Sequence, residues 1–158
     1  MTNMLSTWAR EFLREGRVAA VSTLNKDGSS HVTAIWYLLA GDGTLVMSTP
    51  GRSQKIKNLR RDPRIALCVG DVGRSVSLYG RVSIIEDQTL VRQDLERLIE
   101  HYVKDEGIRP QVVTTLVQRA PVVLHFLPEK VTEFSGWNMS TSKNPGAGHS
   151  RDAPRLHE

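Results

Sequence analysis

The sequence predicts a mainly β fold with flanking helices: a small antiparallel β-barrel of six to seven strands. Three observations predict it. Seven short runs rich in β-branched residues, at 17–24, 30–39, 44–49, 64–69, 75–86, 120–127 and 130–137, are separated by Gly, Pro, Asn and Asp punctuation. Helical periodicity falls only before the first run, between the third and fourth, and between the fifth and sixth. Strands in this meander order leave two unpaired edges, and closure into a barrel removes them.

Each element has a local reason. In residues 5–15, Leu5, Trp8, Phe12 and Leu13 share one helical face while Arg10, Glu11 and Arg14 take the other, and Gly16 is a natural stop. Asn25-Lys26-Asp27-Gly28 has hairpin chemistry and joins the first two strands; Gly41-Asp42-Gly43 joins the second to the third. Gly80, inside the long run 75–86, marks a bulge or bend of the kind that closes a barrel. Asp87 caps a helix over 88–104 with Leu90, Val91, Leu95, Leu98, Ile99 and Tyr102 on its inner side. Residues 110–119 admit two readings, since Pro110 can start a helix while Val-Val-Thr-Thr-Leu-Val favours a strand. Pro128-Glu129 turns the chain between the last two strands. From Asn138 onward Ser, Thr, Asn, Gly, Pro and charge dominate. The expected organisation is therefore one domain over 1–137 and a tail over 138–158, mobile or ordered only against a partner.

At 158 residues, 39% hydrophobic and 24% charged, the chain suits a single soluble domain with an ordinary core. One cysteine, Cys68, excludes an internal disulfide, points to a reducing compartment, and is expected as inert core in an apolar strand. The N-terminal segment lacks the apolar stretch of a secretory signal, and no run approaches the roughly 20 apolar residues that span a bilayer. The expectation is a cytoplasmic protein with no membrane partner. His31, His101 and His125 lack metal-ligand spacing, so no metal is expected, and no Ser/His/Asp arrangement has local support.

Net charge is +4, and much of the excess sits in one place. Residues 48–64 carry six cations, Arg52, Lys55, Lys57, Arg60, Arg61 and Arg64, against the single acid Asp62. The segment opens with Ser48 and Thr49 at a strand end, breaks at Pro50-Gly51, and predicts a short helix from the N-cap Ser53 to Arg61, with Ile56 and Leu59 packed down and Pro63 beyond. Hydroxyls, a glycine turn and a helix N-terminus with unsatisfied amides suit an anion such as phosphate, and Lys55 adds a point charge. Lys57, about 200° around the helix from Lys55, faces away. The plainer reading of such a run is a solvated basic face. A nucleic-acid partner is disfavoured because the cations crowd into one helix without interleaved aromatics.

These residues carry a resemblance. The stretches VAAVSTLNKDGSSHVTAIWY, LVMSTPGRSQKIKNLRRDPRIALCV and SLYGRVSIIED resemble the pyridoxamine-phosphate-oxidase-like family of flavin-binding split β-barrels. The K-x-x-N-L-x-x-D-P-R element (Lys55, Asn58, Leu59, Asp62, Pro63, Arg64) is the most specific part. The subgroup that uses the deazaflavin coenzyme F420 is similar in length and in its N-terminal helix. The resemblance implies a homodimer with cofactor grooves between subunits, and an oxidoreductase transferring hydride between the cofactor and a small unsaturated or quinone-like substrate. It implies that the strand Thr33-Ala34-Ile35-Trp36 lies along the ring, that Ser48, Thr49 and Lys55 hold the phosphate, and that Ser75 reaches in from the other subunit. Flavin oxidases of the family commonly carry an arginine just before the phosphate lysine. Here Gln54 stands there, and Arg52, beside Ser53 in the cradle, could supply the charge; this departure favours coenzyme F420 over FMN. The alternatives are an FMN-dependent oxidase or reductase and a non-enzymatic flavin- or tetrapyrrole-binding protein. Trp36 can be core, interface or ring platform; Asn58 is expected to brace the cradle; Tyr79 and Trp137 are expected to pack rather than line a pocket.

Overall fold

A computed structural model describes residues 4–136. The expectations for Trp137 and the tail fall outside these residues. Helix α1 (Thr7–Leu13) leads into β1 (Val18–Leu24), β2 (Ser30–Leu39) and β3 (Leu45–Pro50). Helix α2 (Gln54–Arg61) precedes β4 (Arg64–Gly70) and β5 (Ser75–Ile85). Helices α3 (Gln88–Tyr102) and α4 (Arg109–Val117) precede β6 (Pro121–Phe126) and β7 (Lys130–Phe134).

All pairings among the seven strands are antiparallel. Following them gives β4-β1-β2-β3-β6-β5, and β5 pairs back onto β4, so six strands close a barrel; β7 adds to β5 outside the ring. Alternation fills the interior: Ala19 and Val21, Ile35 and Tyr37, Leu45 and Met47, Ile65, Leu67 and Val69, Val76 and Leu78, Leu124 and Phe126 are all buried in one cluster. Helix α1 caps it with Phe12 and Leu13, and α2 with Ile56 and Leu59.

Gly80 was expected to mark a bulge or bend; the β4–β5 register runs through it unbroken, Ile65↔Gly80 following Ala66↔Tyr79, and what changes there is the partner on the other edge of β5. One edge of β5 pairs with β7 through Tyr79 and with β6 from Val82. Between the two, a Cβ on residue 80 would lie 3.0 Å from the Glu129 amide nitrogen and 3.1 Å from the Phe126 ring. The β6–β7 turn passes over this point, and its Glu129 N–H donates to the Tyr79 carbonyl at 2.9 Å.

Three expectations are corrected or resolved. Cys68 is exposed, not core, because β4 alternates and sends Ala66 and Cys68 outward. Leu90 is exposed on the first turn of α3, off the inner face that Val91, Leu95, Leu98 and Ile99 share. Residues 109–117 are helical. Pro110 occupies the first turn, Thr114 and Thr115 donate to the carbonyls of Pro110 and Gln111, and Val113 packs on Leu95 and Ile99. That packing decides against the local strand preference.

Gly80→Ala is expected to destabilise the protein by about 1–3 kcal/mol, the range for overpacking a tight site. Urea unfolding checks this, and an unchanged midpoint would show that the turn has room to move.

Candidate cofactor groove

The groove begins as a fault in the sheet. Strand β2 pairs with β1 over its full facing length, from Val18↔Trp36 to Leu24↔Ser30. It pairs with β3 only from Tyr37↔Met47 to Leu39↔Leu45. Strand β3 continues along β6 to Pro50↔Pro121, so beyond Met47 it has left β2. The β2 edge before Tyr37 and the β3 edge after Met47 face each other without pairing. Strand alternation sets which groups point into the gap. Tyr37 turns its amide and carbonyl towards the β1 side, where both meet the Tyr102 hydroxyl. The N–H and C=O of Ala34 and Trp36 therefore point the opposite way, into the gap.

A cavity of about 470 Å³ fills this gap, lined by Ala34, Ile35 and Trp36 from β2 and by Ser48, Thr49 and Pro50 from β3. Lys55 closes one part; Leu95 and Leu98 from α3 and Leu116 from α4 add an apolar wall. The sequence-derived candidates Ala34, Ile35, Trp36, Ser48, Thr49 and Lys55 thus meet around one space. Thr33 turns its side chain to the barrel side of β2, where its hydroxyl is buried without a partner among the described residues. Arg52 is exposed on the turn before α2 and Ser53 is half-buried at its N-cap; neither lines the cavity. Ser75 lies at the start of β5, away from this cavity.

At the cationic end, the Lys55 ammonium donates to Thr49 Oγ1 at 3.2 Å, and the Thr49 hydroxyl lies 3.4 Å from Ser53 Oγ. Ser53 makes no side-chain cap bond, and the amides of Gln54 and Lys55 have no acceptor among the described residues. No carboxylate pairs with Lys55 there either, and burial lowers its pKa from the ordinary lysine value. Helix α2 is held by Asn58, which is fully buried. Its amide donates to Thr23 Oγ1 at 3.1 Å and Asn25 Oδ1 at 2.9 Å, and its carbonyl accepts from Gln54 Nε2 at 2.9 Å. Asn58 therefore braces the cradle, as expected, and Lys57 faces solvent. Tyr79 is exposed rather than packed away, with Lys130 over its ring at 5.8 Å.

Sequence reasoning missed Arg119, which lines the cavity; its N–H donates to the Leu116 carbonyl at 3.1 Å, while its guanidinium has no hydrogen-bond or ion-pair partner among the described residues. It follows α4 directly and precedes Ala120, whose φ of 46° is left-handed; the Ala120 carbonyl accepts from Gly51 N–H at 2.9 Å. The backbone thus ties this exit to the Pro50-Gly51 turn. Only recognising residues 109–117 as helix could have placed Arg119. Leu116 on α4 was missed for the same reason, while Leu95 and Leu98 were expected on the inner face of α3 but not assigned to the groove.

The pyridoxamine 5'-phosphate oxidase family profile matches residues 5–133, most of the chain. The chain belongs to this family. Membership makes it, at the level of class, a flavin or deazaflavin oxidoreductase. Among family relatives, the F420H(2)-dependent biliverdin reductase of Mycobacterium tuberculosis is 33% identical over 102 residues, covering 64% of this chain and 74% of that protein. Solved structures share the fold. A conserved hypothetical protein of M. tuberculosis, Rv2991, superposes with a TM-score of 0.71 at 23% identity, covering 96% of each chain. An F420 reductase superposes with a TM-score of 0.66 at 20% identity, covering 81% of this chain and 98% of that one. Among the described residues no helix is long and apolar enough to cross a membrane, and no group of His, Cys, Asp and Glu could hold a metal ion.

Two substitutions on α2 are expected to act in opposite directions. Asn58→Ala leaves buried donors and acceptors unpaired and is expected to destabilise the protein by about 1–3 kcal/mol in urea unfolding. Lys55→Met removes a desolvated cation. The folded pKa of Lys55 lies below the unfolded value of 10.5, so between the two the unfolded chain binds more protons and stability rises with pH. Below that window, both states are charged and the folded state carries the full desolvation penalty. Ligand-free Lys55→Met is therefore expected to be at least as stable as the parent at pH 7 and to lose the alkaline rise, as urea midpoints at pH 7 and at a pH near the unfolded lysine value of 10.5 would show.

Proposed function

We propose that the protein is a deazaflavin-dependent oxidoreductase, in which bound coenzyme F420 supplies hydride transfer to or from a small unsaturated or quinone-like substrate. The observation that carries this is the unpaired backbone edge of β2 facing a groove whose far end holds Lys55, Thr49 and the α2 amides. A flat heterocycle with alternating donors and acceptors is matched by the N–H and C=O of Ala34 and Trp36. A phosphate is matched by Ser48, Thr49, Lys55 and the first turn of α2, with Arg119 as an added cation. Leu95, Leu98 and Leu116 give the groove an apolar wall against which the ring can pack. No catalytic acid or base is assigned, because the redox chemistry belongs to the cofactor and the chain binds and orients it. Gln54 at the position before Lys55 and the F420H(2)-dependent relative favour F420 over FMN.

The proposal includes a homodimer. The outward face of β1, β2, β4, β5 and β7 exposes Val18, Val32, Tyr79 and Phe134, with Val32 at 60% and Val18 at 52% exposure. An apolar sheet face of this kind suits a second copy of the chain. Ser75, Ser77 and Tyr79 share that outward face, where Ser75 can reach the groove of a partner subunit. A cytoplasmic location and a small-molecule substrate complete the reading.

Titration of the purified protein with F420 and with FMN tests it. Saturable F420 binding is expected; tighter binding of FMN would move the assignment to the flavin branch, and binding of neither would remove the proposal. Lys55→Ala is expected to weaken cofactor binding by about 1.5–3 kcal/mol, the weight of a hydrogen bond to a charged group, with Arg119→Ala weakening it in the same direction.

A further inference from the structure

Tyr102, the last residue of α3, joins three parts of the molecule. Its hydroxyl lies 2.6 Å from the Arg17 carbonyl and 2.9 Å from the Tyr37 carbonyl, sharing one proton between them, and accepts the Tyr37 amide at 3.3 Å. The β1–β2 ladder ends at Val18↔Trp36, so the hydroxyl fills the next rung, between residues 17 and 37. Its ring stacks on the indole of Trp36 with centroids 4.7 Å apart and planes 5° from parallel. His101 packs edge-on against Tyr102 at 5.0 Å. Trp36, 39% exposed, lines the groove; Tyr102 does not.

We propose that Tyr102 is a positioning residue for the groove. It holds the Trp36 indole from behind and fixes the α3 wall to β2, so that the ligand meets a floor already in place. The ligand-binding consequence rests on the reading of the groove as a cofactor site. The floor itself does not. Each of the three contacts has a role. The stack sets the indole plane. The hydroxyl ties the Tyr37 backbone to Arg17 at the point where β2 passes from the β1 ladder to the β3 ladder, which fixes where the gap begins. The shared backbone partners lock the end of α3, whose Leu95 and Leu98 form the apolar wall. Burial raises the Tyr102 pKa, so the hydroxyl stays protonated and able to donate at neutral pH.

The experiment uses the full chain with Trp8→Phe and Trp137→Phe, leaving Trp36 as the single tryptophan of the three. In the ligand-free protein, acrylamide quenching of Trp36 is expected to rise about twofold in Tyr102→Leu, which loses stack and hydroxyl, and less in Tyr102→Phe. Identical quenching in all three proteins would overturn the proposal. Should Tyr102→Leu fail to fold, Tyr102→Phe against its parent carries the same comparison, and no change there would equally overturn it. Cofactor affinity is then measured for Tyr102→Leu, Trp36→Ala and the double variant. Each single change is expected to weaken binding about tenfold, the scale of lost preorganisation, and the double little more than either. Additive losses would overturn action through Trp36. Failure of the parent protein to bind F420 or FMN would sink the cofactor reading alone, and quenching would still decide whether Tyr102 holds the indole.

Discussion

The structure depends on one divergence: β2 cannot follow β1 and β3 at once. Seven residues of β2 pair with β1 and three with β3. Before Tyr37 β2 and β3 part, and a strand in the wall of a closed barrel is left with an open edge. Backbone N–H and C=O groups need partners when water is excluded, and an unpaired edge inside a protein is a liability unless something else bonds to it. Apolar side chains from α3 and α4 line the same cavity as this edge. On the proposed reading, an edge lined in this way, next to hydroxyls and a cation, is where the flat polar ring of the cofactor would bond.

The signature segment from Lys55 to Arg64 is mostly scaffold. Asn58 ties α2 to Thr23 and Asn25, and Leu59 enters the core. Asp62 accepts from the Arg64 side chain and backbone, which sets the entry into β4; the same pairing holds the Asp62 carboxyl down at about 2. Arg61 donates to the Leu24 carbonyl and Arg60 pairs with Glu86. Of the six cations that made this stretch look like an anion site, Lys55 alone lines the groove. The motif is specific because it positions one lysine through a buried amide, not because it presents a charged surface.

This explains what was legible in advance. Hairpin chemistry at 25–28 and 41–43, period-2 alternation and the Asp87 cap are local signals, and they yielded the barrel and the start of α3. Ala34, Trp36, Ser48, Thr49 and Lys55 could be grouped because they lie on two neighbouring strands and the turn after them. Arg119, Leu116 and Tyr102 could not. They reach the groove region from well beyond Lys55 in the chain, Tyr102 being the nearest at 47 residues on (102 − 55), through packing that no local pattern encodes. Cys68 misled for the opposite reason: a run of apolar residues looks doubly buried whether its second face meets a core or points outward.

Lys55 shows how stability and function separate on one helix. Asn58 stabilises α2 by closing a network in which its amide and carbonyl are satisfied. Three residues earlier, Lys55 is held half-buried with one hydroxyl acceptor and no counter-charge among the described residues. Desolvating a cation without an anion opposes folding, so the fold alone gives no reason to keep that lysine there. An arriving anion would reverse the sign, restoring the missing partner in a place where water screens it less. On the proposed reading the two roles divide along the helix: the Asn58 network fixes α2 in the ligand-free protein, and the cofactor's anion would supply the partner that Lys55 lacks.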